Sequence, residues 1–429
     1  STDKFPRIPD KELLTLVQRH TFRYFWELAH PVSGMARERS SSGNTVTTGG
    51  TGFGVMAIIV AVERAFITRE EALQQVQKIV SFLDLKATRH HGAFAHWIHG
   101  ETGETIPFST YDDGADLVET ALLMQGLLSA RQYFNRTSTE ENNLRETITR
   151  LWEAVEWNWF HKGEQQVLYW HWSPTYGWQM NLPITGWNES LIVYLLAAAS
   201  PTYPISRELY DRGWAQGGNM TNNATYYGYQ LPLGPPHGGP LFFAHYSFLG
   251  IRPEGLQDSY ADYWEQNRNH ALVNYRHCVV NPNDYYGYGE DCWGLTASDG
   301  TKGYSAHSPT NDRGVIAPTA ALSSMPYTPV ESMKALRFFY YKLGDRIWTE
   351  YGFTDAFNLS ERWFADQQLA INQGPIILMI ENHRSGLLWD LLMNDTEVKR
   401  GLAQLGFQWL NHAATIELQE RSSRVESNN

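Results

Sequence analysis

The sequence is poor in cysteine, with only Cys278 and Cys292 among its 429 residues. Two cysteines cannot form the several disulfides that hold small secreted scaffolds together, so that class of protein is excluded. Their spacing also differs from that of the paired cysteines in a zinc site. A single disulfide and two buried free thiols are both compatible with the sequence.

Long apolar runs are lacking too. No uninterrupted apolar stretch reaches the roughly 18 residues of a membrane-spanning helix, and the longest candidate, residues 55–62, has the length of a core segment. The net charge is −12, from 34 Lys and Arg against 46 Asp and Glu. An acidic surface repels phosphate groups, so nucleic acid and anionic membranes are not expected as partners.

Aromatic residues, by contrast, are abundant: they make up 14% of the chain, and 16 of them are tryptophans. One interpretation is a core built from bulky side chains. The other is an aromatic-lined cleft, because many of these residues lie in loops rich in Gly, Pro and Asn, such as 169–172 and 285–289. Aromatic rings offer flat apolar platforms, which suit the faces of sugar rings. The loop positions favour the cleft.

Apolar residues at helical spacing recur from one end of the chain to the other. Capping boxes are predicted at Thr68 and Thr328, and Pro329 suits the first position of the second helix. The expected helices lie near 10–28, 52–66, 68–83, 112–134, 138–155, 187–199, 204–216, 259–275, 312–323, 328–340, 360–383 and 386–410, the last of them as one or two pieces.

Strand signals are few, and they predict short hairpins at 94–99 and at 167–172 with 178–181. About twelve helices without an internal repeat indicate outer and inner helices that alternate in a closed ring. We therefore predict an all-α protein: a single (α/α)6 barrel over residues 1–429, with long loops and short β-hairpins at the cleft end.

The first candidate for chemistry is the acidic segment 111–119. Asp113 and Asp116 are three residues apart, as are Asp116 and Glu119, which places them on one face of a helix. One interpretation is a cap residue with solvated neighbours. The other is a carboxylate cluster at a helix N-terminus, where the helix dipole favours ionised groups and a general base or a sugar-hydroxyl binder is well placed.

The second candidate is Glu189, which precedes an apolar helix that carries no other charge. A charge in that position is either a cap or a buried functional group. Partial burial raises the pKa of a carboxyl group, as a general acid requires. Trp187 beside it is a plausible stacking platform for a sugar ring.

Two further polar segments follow apolar runs, at 242–246 and at 380–385. They suit hydroxyl recognition, and the second equally suits a helix C-terminus, where His and Arg interact with the dipole. The glycine-rich segment 49–54 lacks the Lys-Ser/Thr of a P-loop, so nucleotide binding is disfavoured. The histidines near position 96 lack a paired carboxylate motif, so we predict no metal site.

Two classes of function remain at this point. One is a glycoside hydrolase that works with two carboxyl groups, and the other is a carbohydrate-binding protein without turnover. The clustering of acids favours the enzyme, because sugar binding alone needs fewer of them.

Long stretches of the chain, within residues 12–412, resemble the bacterial glucoamylase-like family, which is placed among the glycoside hydrolases of family 144. The segments that carry the resemblance are 48–54 (TGGTGFG), 111–116 (YDDGAD), 186–190 (GWNES), 239–247 (GPLFFAHYS), 293–300 (WGLTASDG), 316–322 (IAPTAAL) and 372–375 (NQGP).

The resemblance implies an (α/α)6 barrel and endo-acting hydrolysis of β-1,2-glucan to sophoro-oligosaccharides, with inversion at the anomeric carbon. The older family name implies α-glucan cleavage, which we keep as an alternative beside glucan binding and transglycosylation. Carried over by motif, the essential acids are Asp112, Asp113, Asp116 and Glu189. Glu189 is the expected general acid, and Asp113 or Asp116 the expected base.

Other positions are expected to contact the substrate or to match family motifs. The predicted substrate-binding residues are Tyr111, Trp187, Asn188, Phe243, His245, Tyr246, Glu381 and Arg384. Asp262, Asp299 and Glu381 also match the family's motifs and are further candidate acids. Two carboxyl groups suffice for this chemistry, so we expect no cofactor.

The resemblance also bears on location and partners. Relatives are exported by Gram-negative bacteria, and a chain that begins at Ser1 rather than Met is typical of a processed N-terminus. We therefore expect a monomer that is periplasmic or lipid-anchored at the cell envelope, with a β-glucan as its partner.

Overall fold

The computed structural model describes residues 2–410, so Ser1 and residues 411–429 of the predicted domain lie outside the described part. The α-helices of the described residues are α1 (Asp10–Glu27), α2 (Thr48–Glu63), α3 (Arg69–Leu85), α4 (Leu117–Tyr133), α5 (Thr139–Ala154), α6 (Leu191–Ala199), α7 (Arg207–Leu209), α8 (Tyr263–Val280), α9 (Pro318–Leu322), α10 (Pro329–Arg337), α11 (Gly344–Ile347), α12 (Ala370–Arg384), α13 (Leu387–Met393) and α14 (Thr396–Gln404).

The helices form two concentric layers. Helices α2, α4, α6, α9 and α12 are buried on nearly all sides and form the inner layer. Helices such as α1, α3, α5 and α10 are amphipathic and bury only one face. Outer and inner elements alternate along the chain, and the predicted α/α toroid is confirmed.

The fourth inner position is irregular. Residues 241–248 form short 3₁₀ turns there instead of an α-helix. The Ser247 hydroxyl accepts a hydrogen bond from the Ile192 N–H of α6 (3.1 Å), and the Tyr327 hydroxyl donates one to the Ala244 carbonyl (2.8 Å). These contacts hold the segment between α6 and the turn that follows α9.

Helices α2 and α4 approach each other closely because glycines face each other at their crossing. A Cβ atom on Gly52 would lie 2.4 Å from the Leu122 carbonyl oxygen, and one on Gly126 would lie 2.2 Å from the Gly52 carbonyl oxygen. No side chain fits at such distances, so both positions require glycine. The glycine-rich segment 49–54 therefore serves in part to pack α2 against α4.

Of the two predicted capping boxes, one forms in the structure and the other does not. The capping box at Thr68 forms: its hydroxyl accepts from the Glu71 N–H (3.1 Å), and the Glu71 carboxylate accepts from the Thr68 N–H (3.0 Å). The capping box predicted at Thr328 is wrong, because that hydroxyl donates to the Ser324 carbonyl instead (3.2 Å). Helix α10 still begins at Pro329, as predicted.

The strands are short and lie between the helices. In the described residues they are β1 (Thr45–Thr47), β2 (Trp97–His99), β3 (Thr105–Ile106), β4 (Ala115–Asp116), β5 (Leu168–Tyr169), β6 (His171–Trp172), β7 (Pro183–Ile184), β8 (Thr225–Tyr226), β9 (Tyr229–Gln230), β10 (Ala297–Ser298), β11 (Ser305–Ala306), β12 (Trp348–Thr349), β13 (Gly352–Phe353), β14 (Phe357–Asn358) and β15 (Trp363–Phe364).

Strands β1, β2 and β3 form one antiparallel sheet, and the other strands pair in twos. The predicted strand at 178–181 is wrong: that segment is a turn, and β5 pairs instead with Pro183–Ile184. Strand β6 pairs with β4, which aligns His171 with Asp116. This pairing joins two loops that are distant in sequence, and it brings a histidine beside the acidic segment.

Three of the inner helices begin at the same end of the toroid. Glu119 lies in the first turn of α4, Glu189 lies just before α6, Ile371 lies in the first turn of α12, and all three line one cavity. The N-termini of inner helices therefore converge at one end of the toroid. Each contributes a positive dipole end there, which favours negative charge.

Both cysteines lie in the core. Cys278 and Cys292 are buried free thiols, and burial raises the pKa of each. Of the two alternatives that the sequence left open, the structure has the unpaired thiols. Within residues 2–410, no helix combines the length and the apolar character that crossing a bilayer requires.

Candidate active site

A cavity of about 320 Å³ opens at the end where the inner helices begin. Its polar lining comprises Asp112, Asp116, Glu119, Glu189, His96, His171 and Ser109. Four carboxyl groups in so small a volume cannot all ionise at neutral pH, because like charges in a shielded site repel strongly. Their protonation is therefore decided by the contacts of each one.

Asp116 is the N-cap residue of α4. One of its carboxylate oxygens accepts a hydrogen bond from the Glu119 N–H (2.8 Å). The other, Oδ2, lies 3.4 Å from His96 Nδ1 and 3.8 Å from His171 Nε2. Burial alone would raise the pKa of Asp116, but the hydrogen bond and the positive charge of His96 outweigh it and lower the pKa. Asp116 is accordingly the ionised acid of the site.

His96 lies between two carboxyl groups. Its Nδ1 faces Asp116, its Nε2 lies 3.3 Å from Glu119 Oε1, and its ring stacks on Phe108 at 4.3 Å. Burial opposes charge on the ring, but Glu119 and Asp116 outweigh it and raise the pKa of His96 to about 9. The imidazolium is the cation of the cavity at neutral pH.

Glu119 lies on the opposite side of His96 from Asp116 and is almost fully buried. Thr47 donates a hydrogen bond to its Oε1 (3.3 Å), and a Cβ atom on Gly49 would lie 2.3 Å from its Oε2. Gly49 is therefore needed to let this carboxyl group approach the start of α2. Burial, opposed by His96 and reinforced by Asp116, raises the pKa of Glu119 to about 7.

Glu189 projects into the cavity from the turn that begins α6. The Asn188 side chain accepts from the Ser190 N–H (2.8 Å), and the Glu189 carbonyl accepts from the Ser247 hydroxyl (2.6 Å), so the turn is fixed on both sides. Burial, with the negative charges of Asp116 and Glu119, raises the pKa of Glu189 to about 7. At neutral pH Glu189 therefore holds a proton much of the time, as a general acid must.

Asp112 and His171 lie next to each other in the wall of the cavity. The Asp112 Oδ2 atom lies 3.4 Å from His171 Nε2. Burial and the charge of Asp116 raise the pKa of Asp112 to about 7, and burial lowers that of His171. Within the described residues, Asp112 Oδ1 and His171 Nδ1 are buried and make no hydrogen bond. Both groups keep capacity to bind a substrate hydroxyl or a water.

The remaining walls of the cavity are mostly aromatic and apolar, which suits a sugar ring. They comprise Phe108, Trp170, Phe242, Tyr246, Tyr304, Val118, Leu122, Met180, Leu182 and Ile371. Tyr246 packs against Phe242 with ring centroids 4.8 Å apart. It is a predicted substrate-binding residue, and the structure places it at the cavity.

The cluster also has the composition of a cation site. His96, Asp112 and Asp116 each bring one potential ligand atom to within 4.8 Å of the others. Imidazole and carboxylate groups are common ligands of divalent transition metals. The sequence prediction of a metal-free site stays a prediction.

Two predicted residues of the acidic segment lie beside the cavity rather than in its lining. Asp113 is half-buried, and its charge acts on the ring of His90. Tyr111 is exposed at the rim, where its ring meets Tyr176 edge-on at 5.1 Å. Among the predicted acids, the structure thus brings together Asp112, Asp116 and Glu189.

Four predicted binding residues lie behind the cavity. Trp187 is buried in an aromatic cluster, with Tyr263 at 5.6 Å, and Asn188 holds the turn described above. His245 is buried and bonds to Ser324 (2.8 Å), and burial lowers its pKa to about 3. Phe243 stacks edge-on against Phe242, and it is the latter that lines the cavity.

Glu381 and Arg384 lie at the other end of the toroid. They end α12, whose first turn reaches the cavity at Ile371, so about 15 Å of helix separates them from it. Glu381 accepts two hydrogen bonds from Arg64 (both 2.7 Å), and Arg384 donates to Gln18 (2.8 Å). The structure does not bring these two predicted residues to the candidate site.

The two other candidate acids also have structural partners. Asp262 is the N-cap of α8, where it accepts from the Glu265 N–H (3.1 Å). Asp299 forms a salt bridge with Arg39 (2.9 Å). Each of these interactions gives the carboxylate a structural role outside the cavity.

The predicted site residues leave out three polar residues of the cavity. Glu119 was part of the acidic cluster that the sequence indicated, three residues after Asp116 on the same helical face, but it was not among the predicted catalytic acids. His96 and His171 carried no such signal, because strand pairing brings them to the acids from distant loops.

The fold and the site together define an α/α toroid with an acid-lined cleft at the N-terminal ends of its inner helices. A family model described as "Putative glucoamylase" matches residues 181–396 of this chain. A solved structure from Bacteroides uniformis, described as a putative glucoamylase, is 58% identical, covers 95% of this chain and all of its own, and has a TM-score of 0.93. The chain belongs to this family, and the resemblance seen in the sequence is confirmed.

Two relatives carry more specific descriptions. The structure of an endo-β-1,2-glucanase from Chitinophaga pinensis, with sophorotriose and glucose, is 52% identical over 94% of this chain and 99% of its own, with a TM-score of 0.92. An exo β-1,2-glucooligosaccharide sophorohydrolase (non-reducing end) of Parabacteroides distasonis is 48% identical over 92% of this chain. This chain spans 58% of the length of that last relative.

Proposed function

We propose that this chain is a glycoside hydrolase that cleaves β-1,2-glucan internally and releases sophoro-oligosaccharides with inversion. The observation that carries the proposal is one cavity lined both by Glu189, with a pKa raised to about 7, and by the ionised Asp116. A protonated and an ionised carboxyl group on two sides of a sugar site are the parts that glycosidic hydrolysis needs. The descriptions of the two relatives support the linkage.

In this mechanism Glu189 donates a proton to the departing glycosidic oxygen. Asp116 also lines the cavity, with Oδ1 held by the Glu119 N–H and Oδ2 beside His96, and in this mechanism Oδ2 takes a proton from the attacking water. An inverting enzyme leaves about 6.5–9.5 Å between its two carboxyl groups for that water. The imidazolium of His96 keeps Asp116 ionised by charge and hydrogen bonding.

Glu119 and Asp112 have supporting roles. Both have a pKa raised to about 7, so each carries a proton much of the time and can donate a hydrogen bond to a sugar hydroxyl. Their partial protonation also limits the negative charge of the cavity, which makes the ionised state of Asp116 less costly.

Exo-acting release of sophorose is the second candidate, favoured by the description of the Parabacteroides distasonis relative. The internal mode is supported by the cavity itself, because it opens past exposed side chains such as Phe108 and Leu182. A chain can continue along such a mouth beyond the bond that is cut.

The test is product analysis over time with linear β-1,2-glucan, and with soluble starch in parallel. We expect a spread of sophoro-oligosaccharides at the earliest times from β-1,2-glucan and no sugar from starch. Sophorose alone from the first minutes would instead establish the exo mode. Glucose from starch would overturn the linkage, and longer products than substrate would indicate transglycosylation.

A glucan-binding protein without turnover is the remaining alternative. It predicts retardation in a gel that contains β-1,2-glucan and no products with either polymer. The same proposal includes a monomer that is exported to the periplasm or the cell envelope, as the family resemblance implies. Light scattering and fractionation of the producing cells test these two parts.

A further inference from the structure

Two tyrosines form an exposed ring pair at the rim of the cavity. Tyr111 and Tyr176 have 41% and 44% of their surface exposed, and their rings meet edge-on with centroids 5.1 Å apart. Single exposed aromatic residues are common on protein surfaces. Two that contact each other across two separate loops present a continuous apolar surface with polar hydroxyl edges, which is the surface that a sugar ring stacks on.

This pair is continuous with the catalytic cavity. Ser109, His171 and Met180 line the cavity. Tyr111 follows Ser109 by two residues, and Tyr176 lies in the turn between His171 and Met180. Phe108, which is 49% exposed, lines the same cavity and stacks on His96 beside the acids. A chain that leaves the cavity on this side therefore passes over the two tyrosines.

The loops that carry the pair are held rigidly. The Ser173 hydroxyl accepts hydrogen bonds from the N–H groups of Thr175 (3.1 Å) and Tyr176 (2.8 Å). On the other loop, the Asp112 N–H donates to the Ser109 carbonyl (3.2 Å). The backbone that carries both rings is thus held in place, and the rings contact each other, which reduces the entropy lost on binding.

The volume of the cavity gives a further reason for binding outside it. At about 320 Å³ it lies at the lower end of the roughly 300–1,000 Å³ range of small-molecule sites. A polymer that is cut internally must extend beyond such a volume on both sides of the scissile bond. An outer binding surface is therefore expected, and the tyrosine pair is continuous with the mouth.

We propose that Tyr111 and Tyr176 form a distal subsite that stacks a glucosyl residue of the substrate beyond the cleavage cavity. This proposal rests on the proposed function, because its ligand is a β-1,2-glucan chain. The subsite adds affinity for long chains and takes no part in bond cleavage.

The test compares Tyr176→Ala with wild type on β-1,2-glucan polymer and on the shortest oligosaccharide that wild type cleaves. We expect KM for the polymer to rise about five- to tenfold with kcat unchanged, because the variant loses binding that is equal in ground state and transition state. KM for the short substrate should stay within twofold. Tyr176→Phe should behave as wild type, since stacking needs the ring and not the hydroxyl.

Tyr203→Ala is the matched control. Tyr203 is also an exposed tyrosine, but it follows the C-terminal end of α6 and lies at the opposite end of the toroid from the cavity. Equal KM for the polymer in Tyr176→Ala and Tyr203→Ala would overturn the subsite. So would a loss of the same size on short and long substrates, which indicates a distorted cavity.

Gel retardation by β-1,2-glucan separates this proposal from the proposed function. If wild type is retarded without cleaving the polymer, the proposed function fails, and the subsite still predicts weaker retardation of Tyr176→Ala. If wild type is neither retarded nor active on this polymer, the function and the subsite are both overturned.

Discussion

Glu189 and Glu381 both carry carboxyl groups that are shielded from solvent. Glu189 lies just before inner helix α6 at the cleft end of the toroid, and Glu381 lies in the last turn of inner helix α12 at the opposite end. Glu381 meets the guanidinium group of Arg64 through two hydrogen bonds of 2.7 Å, and Gln18 and Ser385 donate to it as well. Burial alone would raise its pKa, but these partners outweigh burial and lower it. Glu189, with no such cation among the described residues, has its pKa raised to about 7.

The difference shows that burial and motif membership are not enough to identify a catalytic acid. At the end away from the cleft, Arg64 keeps the buried glutamate ionised at neutral pH and pairs with it between helices. At the cleft end, the cation is a single histidine shared among several acids, so some of them must keep their protons. The cations around a buried carboxyl group therefore decide whether it is ionised or holds a proton at neutral pH.

The largest expected effect is on catalysis at the cleft end. Replacement of Glu189 by Gln should lower kcat on β-1,2-glucan by about 10³-fold, because general acid catalysis contributes roughly 10²–10⁴-fold. KM should change little, since glutamine keeps the shape and the hydrogen-bonding capacity of the protonated acid. Steady-state kinetics measure kcat and KM. Glu381→Gln is the control variant, and its kcat per folded molecule should equal that of wild type. A Glu189→Gln enzyme with a tenth of wild-type kcat would remove Glu189 from the acid role.

The next effect is on stability at the end away from the cleft. Glu381→Gln should lower the free energy of unfolding by about 3 kcal/mol at pH 7, the lower end of the range for breaking a buried ion pair, because Arg64 keeps some access to water. Urea denaturation measures this. The double variant Arg64→Met, Glu381→Leu is the matched control and should recover most of the loss, since it leaves no buried charge behind.

The pH dependence of stability should have opposite signs at the two ends. The folded pKa of Glu189 is about 7 against an ordinary value of 4.5, so the folded state binds more protons between these values and stability falls as pH rises through that window. Glu189→Gln should therefore stabilise the protein above pH 7 by on the order of 3 kcal/mol and have no effect below pH 4.

Glu381, with a lowered pKa, contributes stability that is present above the pKa of the unfolded chain and is lost as pH falls through the folded value. The cost of Glu381→Gln should therefore shrink in acid. Urea midpoints of both variants at pH 4 and pH 8 give the comparison. Parallel pH profiles for the two variants would contradict it.

The smallest effect concerns metal. The carboxyl pair supplies acid and base, and His96 already contacts two carboxyl groups, so dialysis against EDTA should leave kcat within twofold. A loss that Zn²⁺ or Mn²⁺ restores would show that His96, Asp112 and Asp116 hold an ion, and it would change the roles proposed for Asp116.

Periodicity predicted the helical ring well, because amphipathic and fully apolar helices have distinct patterns along one chain. The acids at inner-helix starts were also predictable, since Asp116 and Glu189 head apolar helices. The starts themselves were less accurate. The helix predicted from residue 112 begins at Leu117, because the acidic segment forms a turn and strand β4 at the cavity before the helix begins.

The composition of a motif did not predict at which end of the toroid the motif lies. Glu381 and Arg384 follow an apolar run much as the cavity residues do, but they come at the end of α12 and not at its start. The 15 residues of that helix span about 22 Å, which is enough to separate the cleft from the opposite end of the toroid. The roles of His96 and Gly49 depend on contacts that only the folded chain creates.

The irregular fourth inner position has a consequence for how the ring opens. Residues 241–248 replace a helix by short 3₁₀ turns, whereas α2 and α4 are joined through backbone contact at Gly52 and Gly126. Amide hydrogens along the α2–α4 seam should be the slowest to exchange with solvent, and those of 241–248 among the fastest within the inner ring. Since Ser247 holds the turn of Glu189, local unfolding would detach the catalytic acid well before the protein as a whole denatures.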